Sequence, residues 1–185
     1  MSEWFTTLDG MLARMWDTLS AGLGDAAHPA RQPTLATVST EGWPEARTVV
    51  LRGADKVASI VTIHTDLHSG KIASLRTTPR AALHIWDPEQ ALQIRLQAEV
   101  TIQSGPDLLP LWQSIPDHAQ QSYGVTPPPG HPIATALDYV KQPDPATFAV
   151  LHCAVTHIDL VHLGVDHRRA GFSRDRHWAG QWLSP

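Results

Sequence analysis

Between residues 93 and 100 the chain alternates without a break, with Ile94, Leu96, Ala98 and Val100 standing against Gln93, Arg95, Gln97 and Glu99. Successive side chains of a β-strand point to opposite faces, so this spacing specifies a strand with one buried and one polar face. Such a strand belongs in an antiparallel sheet covered on one side. The strand is expected over 91–102, and further β-prone runs lie at 34–39, 46–52, 57–64, 80–86, 148–163, 171–172 and 178–183. Turn chemistry at Glu41-Gly42-Trp43-Pro44 and a hairpin-length Gly53-Ala54-Asp55-Lys56 place the first three runs in an antiparallel meander. Apolar residues from Trp4 to Leu23, three and four apart, predict an amphipathic helix over 3–23, ended by Gly22 and Gly24. Shorter helices are expected over 67–77, with Ser69 near the start and Pro79 beyond the end, and over 106–114. Strands that do not alternate with helices argue for a mainly β (α+β) fold, a barrel of six to eight antiparallel strands with α additions.

A length of 185 residues suits one domain with a core of its own. Its expected parts are an N-terminal helix (1–24), the barrel core (33–104), a helix and proline-rich loop (105–146) and closing strands (147–185). No apolar run approaches the roughly 20 residues that cross a bilayer, so no membrane association is expected. The first residues lack a basic stretch followed by an apolar one, and the lone Cys153 suits a reducing compartment, so cytoplasmic residence is expected. A formal charge of -4 argues against general nucleic-acid binding. His152, His157 and His162 fall five apart, which alternates faces on a strand, and no paired-cysteine spacing occurs, so no metal site is expected. The proline- and glycine-rich stretch at 123–132 reads as a functional or interface loop.

Chemistry concentrates between Gly42 and Gln97, in the series GWPEARTVVLRG, IHTDLHSGKIASLRTTPRAALHIW and LQIRLQAEV. The Gly-x-Pro turn leading to an Arg-hydrophobic strand, the Thr-ended strand followed by Ser-x-Lys and Thr-Pro-Arg-Ala, and the Gln opening the next strand closely resemble the FMN-binding core of pyridoxamine 5'-phosphate oxidase and its relatives. The terminal WLSP is similar to the closing segment of that family. The resemblance implies a split β-barrel that binds FMN and builds each flavin site from two chains, hence a homodimer.

A flavin mononucleotide needs a cationic, hydrogen-bonding socket for its phosphate and a flat slot for its ring. Arg47 offers a guanidinium fork, Lys71 a mobile charge, and Thr65 and Ser69 hydroxyl groups near a helix N-terminus. By resemblance, the backbone of Thr48, Val49, Val50 and Leu51 lies along the ring, Arg52 and Gln93 face its edge, and His64 precedes the phosphate-binding Thr65. Singly, each charged residue reads as a solvated surface group, Gln93 as a polar strand residue, and Thr65 and Ser69 as helix caps. The series in order is what carries the flavin reading.

Departures from the family pattern argue against the vitamin substrate. Gly70 stands at an arginine position, Val161 at that of a tryptophan beside the flavin, and His167-Arg168-Arg169 where the oxidase carries Arg-x-His. Arg169 and its neighbours are expected to contact FMN or a substrate anion from the partner subunit. The expected activity is that of an FMN-dependent oxidoreductase of unassigned substrate and with no side-chain acid or base. A non-catalytic flavin carrier or sensor, and a haem-handling split barrel, are the alternatives.

Overall fold

The computed structural model describes residues 3–185. After a 3-10 turn at Trp4–Thr6, helix α1 (Leu8–Gly24) begins at Thr7, whose side chain accepts a hydrogen bond from the Gly10 amide. Its Met11, Met15, Trp16 and Leu19 are buried, the face that the helical spacing picks out. Strands β1 (Thr34–Val38), β2 (Pro44–Thr48), β3 (Leu51–Asp55) and β4 (Ile60–Asp66) follow, then helix α2 (Gly70–Thr77), β5 (Arg80–Asp87) and β6 (Leu92–Ser104). Helices α3 (Leu109–Ser114) and α4 (Asp117–Gln120) lead into a ribbon of β7 (Val125–Thr126) and β8 (Val140–Lys141). Strands β9 (Phe148–His162), β10 (Arg168–Ser173) and β11 (Gly180–Leu183) close the chain.

Among the described residues nine strands form one antiparallel sheet, and β7 and β8 form a separate pair. The order runs β11-β10-β9-β6-β5-β1-β2, with β4 also paired to β9 and β3 to β4. The long β9 is therefore the branch point: its first half carries β4, and its second half carries β10. The architecture is the expected mainly antiparallel α+β one, and the count exceeds six to eight because the 46–52 run supplies two strands. That run breaks at Val49 and Val50; β2 pairs with β1, while β3 pairs with β4, so the meander expected for the first three runs does not form. The Val49 amide turns to the Pro33 carbonyl (3.0 Å) and Leu51 drops into the core.

Other boundaries move for local reasons. The strand expected from Val57 starts at Ile60, because 56–59 make the turn; Val57 is fully exposed and Ser59 takes a positive φ of 55°. Trp178 also has a positive φ (63°), so the last strand begins at Gly180. The alternation at 93–100 is realised as drawn, with Ile94, Leu96, Ala98 and Val100 inside the barrel.

A second apolar cluster lies outside the barrel, where Trp112, Ile115, Tyr123 and Phe148 pack between α3, the segment after α4 and the start of β9. Aromatic edges set its geometry, Tyr123 and Phe148 meeting at 5.0 Å and 68°. None of the described helices is long and apolar enough to cross a membrane.

Candidate functional site

The phosphate-type residues converge. Helix α2 starts one residue after Ser69, and the turn from β4 into it sets Thr65, Ser69 and Lys71 together. Lys71 Nζ donates to Thr65 Oγ1 at 2.9 Å, and the Thr65 and Ser69 hydroxyls lie 3.2 Å apart. Arg47 reaches the same region from β2. Its Nη1 donates to Thr37 Oγ1 (2.7 Å) and to the Leu35 carbonyl (3.3 Å), and its Nη2 to Glu45 (2.8 Å). Burial, and then the Arg47 charge, hold the Lys71 ammonium below its ordinary range, with Asp66 opposing. Two cations beside paired hydroxyls, partly desolvated and repelling one another, are what a phosphomonoester dianion relieves. The residues therefore fit FMN's phosphate. The one ion pair in the way, Arg47 with the exposed Glu45, is of the solvent-screened kind that yields cheaply.

Asp66 was not singled out from the sequence, and it organises this corner. It is 5% exposed; Oδ1 accepts from the His68 amide (2.7 Å) and Oδ2 from the Gly124 amide (2.9 Å). The first bond is a local Asx turn, legible in Thr-Asp-Leu-His-Ser; the second spans 58 residues and leaves no sequence signal.

The ring-type residues are dispersed. Thr48 ends the exposed β2, Val49 and Val50 form the break, and Leu51 is buried in the barrel. Arg52 lies at the bulge between β3 and β4, on the barrel's outer side, where it hydrogen-bonds Tyr123 and its Nε is buried without a partner. His64 adjoins it, edge-on to Phe148 at 5.0 Å, and its pKa is pushed down to about 4 by burial, then by the charges of Arg52 and His152. His152 continues the polar row, its Nε2 2.9 Å from Gln103 Oε1. Burial raises the Tyr123 phenol, against the charge and hydrogen bond of Arg52. Tyr123, His152 and Gln103 were not foreseen as site residues, since only packing of the outer cluster brings them to Arg52.

Gln93 and Arg169 stand elsewhere. Trp86, Gln93, Val161, Arg169 and Leu183 are lateral neighbours across β5, β6, β9, β10 and β11. Arg169 donates from Nε and Nη2 to Asp159 (3.1 and 2.8 Å), which Arg95 also holds (2.7 Å). Burial tends to raise the Asp159 carboxyl, and the hydrogen bonds from Arg169 and Arg95 overcome it and hold it low. The row meets β9 at Val161, whereas Thr65 meets it at Ala149; the twelve residue steps from one to the other are roughly 40 Å of strand at about 3.3 Å each. The two sets of expected site residues thus lie at opposite ends of β9. Between them, on the outer face, lies a mostly apolar groove of about 560 Å³ lined by Ala36, Val38, Pro44, Ala82, Gln97 and His157 among others.

Cys153 is buried and its thiol pushed up to about 12, so it is inert. No group of three or more His, Cys, Asp or Glu suited to a metal occurs among the described residues.

Known proteins share this fold and these motifs. A crystal structure of a pyridoxamine 5'-phosphate oxidase-related, FMN-binding protein from Nostoc punctiforme is 25% identical, with a TM-score of 0.76 over 94% of this chain and 96% of that one. PhzG from Burkholderia lata, solved with tetrahydrophenazine-1-carboxylic acid, shares the fold at 18% identity and a TM-score of 0.73, over 100% of this chain and 97% of its own. The pyridoxine/pyridoxamine 5'-phosphate oxidase of Alkalilimnicola ehrlichii is 36% identical over 88 residues, which are 47% of this chain. That match spans 43% of the relative's length, less than half of it. Residues 3–104, more than half of the chain, match the family described as pyridoxamine 5'-phosphate oxidase, FMN-binding domain, and the chain belongs to that family.

Proposed function

We propose that the protein is an FMN-dependent oxidoreductase that works as a cytoplasmic homodimer on a small anionic substrate. The observation that carries the reading is the Lys71–Thr65–Ser69 hydrogen-bonded corner with Arg47 beside it, a phosphate socket on the family's FMN-binding segment. Bound there, FMN supplies the redox chemistry, and the chain's own residues hold and orient it. The separation of the two half-sites supports a dimer, in which Gln93 and Arg169 of one protomer complete the site begun by Arg47, Thr65 and Lys71 of the other. The apolar groove between them, with the exposed Val38, Trp43 and Trp86 nearby in the strand order, is a surface suited to burial by a second copy.

Arg52 supports an anionic substrate. Among the described residues it has no carboxylate within ion-pair distance, and Tyr123 stands beside it as a further hydroxyl. FMN's phosphate is served by Arg47 and Lys71, which leaves the Arg52 charge for a carboxylate or phosphate on the substrate.

The visible absorption spectrum of fresh protein tests the cofactor: a yellow protein releasing FMN rather than FAD is expected. Colourless protein that fails to bind added FMN overturns the reading. Reduced nicotinamides and pyridoxamine 5'-phosphate, mixed with holoprotein under air, test turnover, and bleaching followed by reoxidation is expected with a competent donor. Sedimentation velocity tests the dimer, and a monomer that retains FMN as tightly would refute it.

A further inference from the structure

At the far end of β9, away from the phosphate corner, His162 is 7% exposed and engaged on several sides. Its imidazole stacks on Phe5, with centroids 4.2 Å apart and planes 9° from parallel. Trp4 meets the same imidazole edge-on at 5.2 Å and Phe5 at 5.3 Å. The Arg168 guanidinium lies over the Phe5 ring at 4.9 Å, so the phenyl is held between an imidazole and a cation. Arg14 of α1 lies over Trp4 at 5.4 Å. The turn after β9 is fitted to the imidazole: a Cβ on Gly164 would stand 2.5 Å from His162 Cε1.

One feature of this packing is chemically incomplete. His162 Nδ1 is buried and has no hydrogen-bond partner among the described residues. A neutral ring tolerates this when Nδ1 carries no proton, because an unmet acceptor costs less than a buried, unpaired cation. Protonation puts N–H and positive charge at that site. The surrounding charges oppose it: Arg168 on β10 and His167 just before it are both unfavourable to a second cation, and Glu3 alone favours one. Asp166 is taken by Arg168, through its carbonyl at 2.9 Å and its carboxylate at 3.8 Å. On the β6 side His162 is paired with the apolar Leu92, which offers no counter-charge.

We propose that His162 is an acid-operated latch for the N-terminal segment: neutral, it holds Trp4 and Phe5 against the end of β9, and protonated, it releases them. The imidazolium and the Arg168 guanidinium then repel one another across the Phe5 ring, and the protonated Nδ1 regains water only by displacing the aromatic segment. Burial first, then Arg168, lowers the His162 pKa, so the latched state is favoured in full above 6.5. The latch weakens as pH falls below that value. The segment borders the second half-site, since His162 follows Val161 and Arg168 precedes Arg169.

The test is amide exchange of the peptide from Trp4 to Leu8 in the full chain as purified, between about pH 7.5 and about pH 5, corrected for intrinsic exchange. Protection in the native protein is expected to fall by about an order of magnitude across that range. His162→Phe, which keeps an aromatic stack and cannot titrate, is expected to stay protected throughout. A native protein whose protection does not change, or a His162→Phe protein that loses protection with the same profile, overturns the proposal. Should His162→Phe misfold, proton NMR titration of native His162 decides: a midpoint below 6.5 supports the latch, and one at or above it refutes it.

Discussion

Lys71 and Thr65 are joined by a 2.9 Å hydrogen bond that ties the first turn of α2 to the end of β4. The lysine donates to a hydroxyl rather than to a carboxylate, with Arg47 pressing on it as a like charge. Such a corner is stabilised by an incoming dianion, and on this the proposed contact with the FMN phosphate rests.

Replacing Lys71 or Arg47 by Ala removes one charge-assisted contact, worth about 1.5–3 kcal/mol, and should weaken FMN binding by roughly one to two orders of magnitude. Riboflavin, which lacks the phosphate, should bind native and variant proteins alike. Fluorescence-quenching titrations with both flavins check this. The lowered Lys71 pKa adds a pH signature, because a neutral amine grips a dianion poorly: FMN affinity should decline on the alkaline side at a pH below 10.5 and lose that limb in Lys71→Ala.

His64 should contribute an acid-labile stability. Its folded-state pKa of about 4 lies below the ordinary 6.5, so the unfolded chain binds the proton more readily. The contribution is complete above 6.5 and disappears as pH falls from there to about 4. Urea denaturation across this range should show a decline in stability that His64→Gln makes shallower.

Gly124 should not tolerate a side chain. Its φ is +93°, and a Cβ would stand 2.2 Å from the Gln142 carbonyl oxygen, a backbone atom that cannot swing aside. Gly124→Ala should cost more than the about 1–3 kcal/mol of the backbone conformation alone. The denaturation midpoint should fall with an unchanged slope, and the Asp66 contact should be lost with it.

Leu96 is fully buried at the centre of β6, and Leu96→Ala should destabilise the protein by about 2–5 kcal/mol. Calorimetry should show the lowered midpoint, while FMN affinity of the folded fraction stays near native because the side chain points into the barrel, away from the phosphate corner.

The sequence alone determined the elements whose signal is periodic or local. Ile94 to Val100 could only be a half-buried strand, the 3–4 spacing from Leu8 to Leu19 fixed the buried face of α1, and Thr65, Ser69 and Lys71, singled out by the family resemblance, meet in one hydrogen-bonded corner. Where a run does not alternate, pattern fell silent: in 46–52 the polar residues Arg47, Thr48 and Arg52 flank an unbroken apolar Val49 to Leu51, nothing there marks where one strand ends, and only the competing claims of β1 and β4 for hydrogen bonds broke it at Val49 and Val50. The tertiary structure also decided every relationship across long sequence separations. The bond from Gly124 to Asp66, the approach of Tyr123 to Arg52 and the placing of Gln93 and Arg169 at the opposite end of β9 from Thr65 are set by how the sheet branches on one long strand. Periodicity reports which face of an element is buried; it carries no record of the neighbour that buries it, and that neighbour is fixed only when the whole core packs.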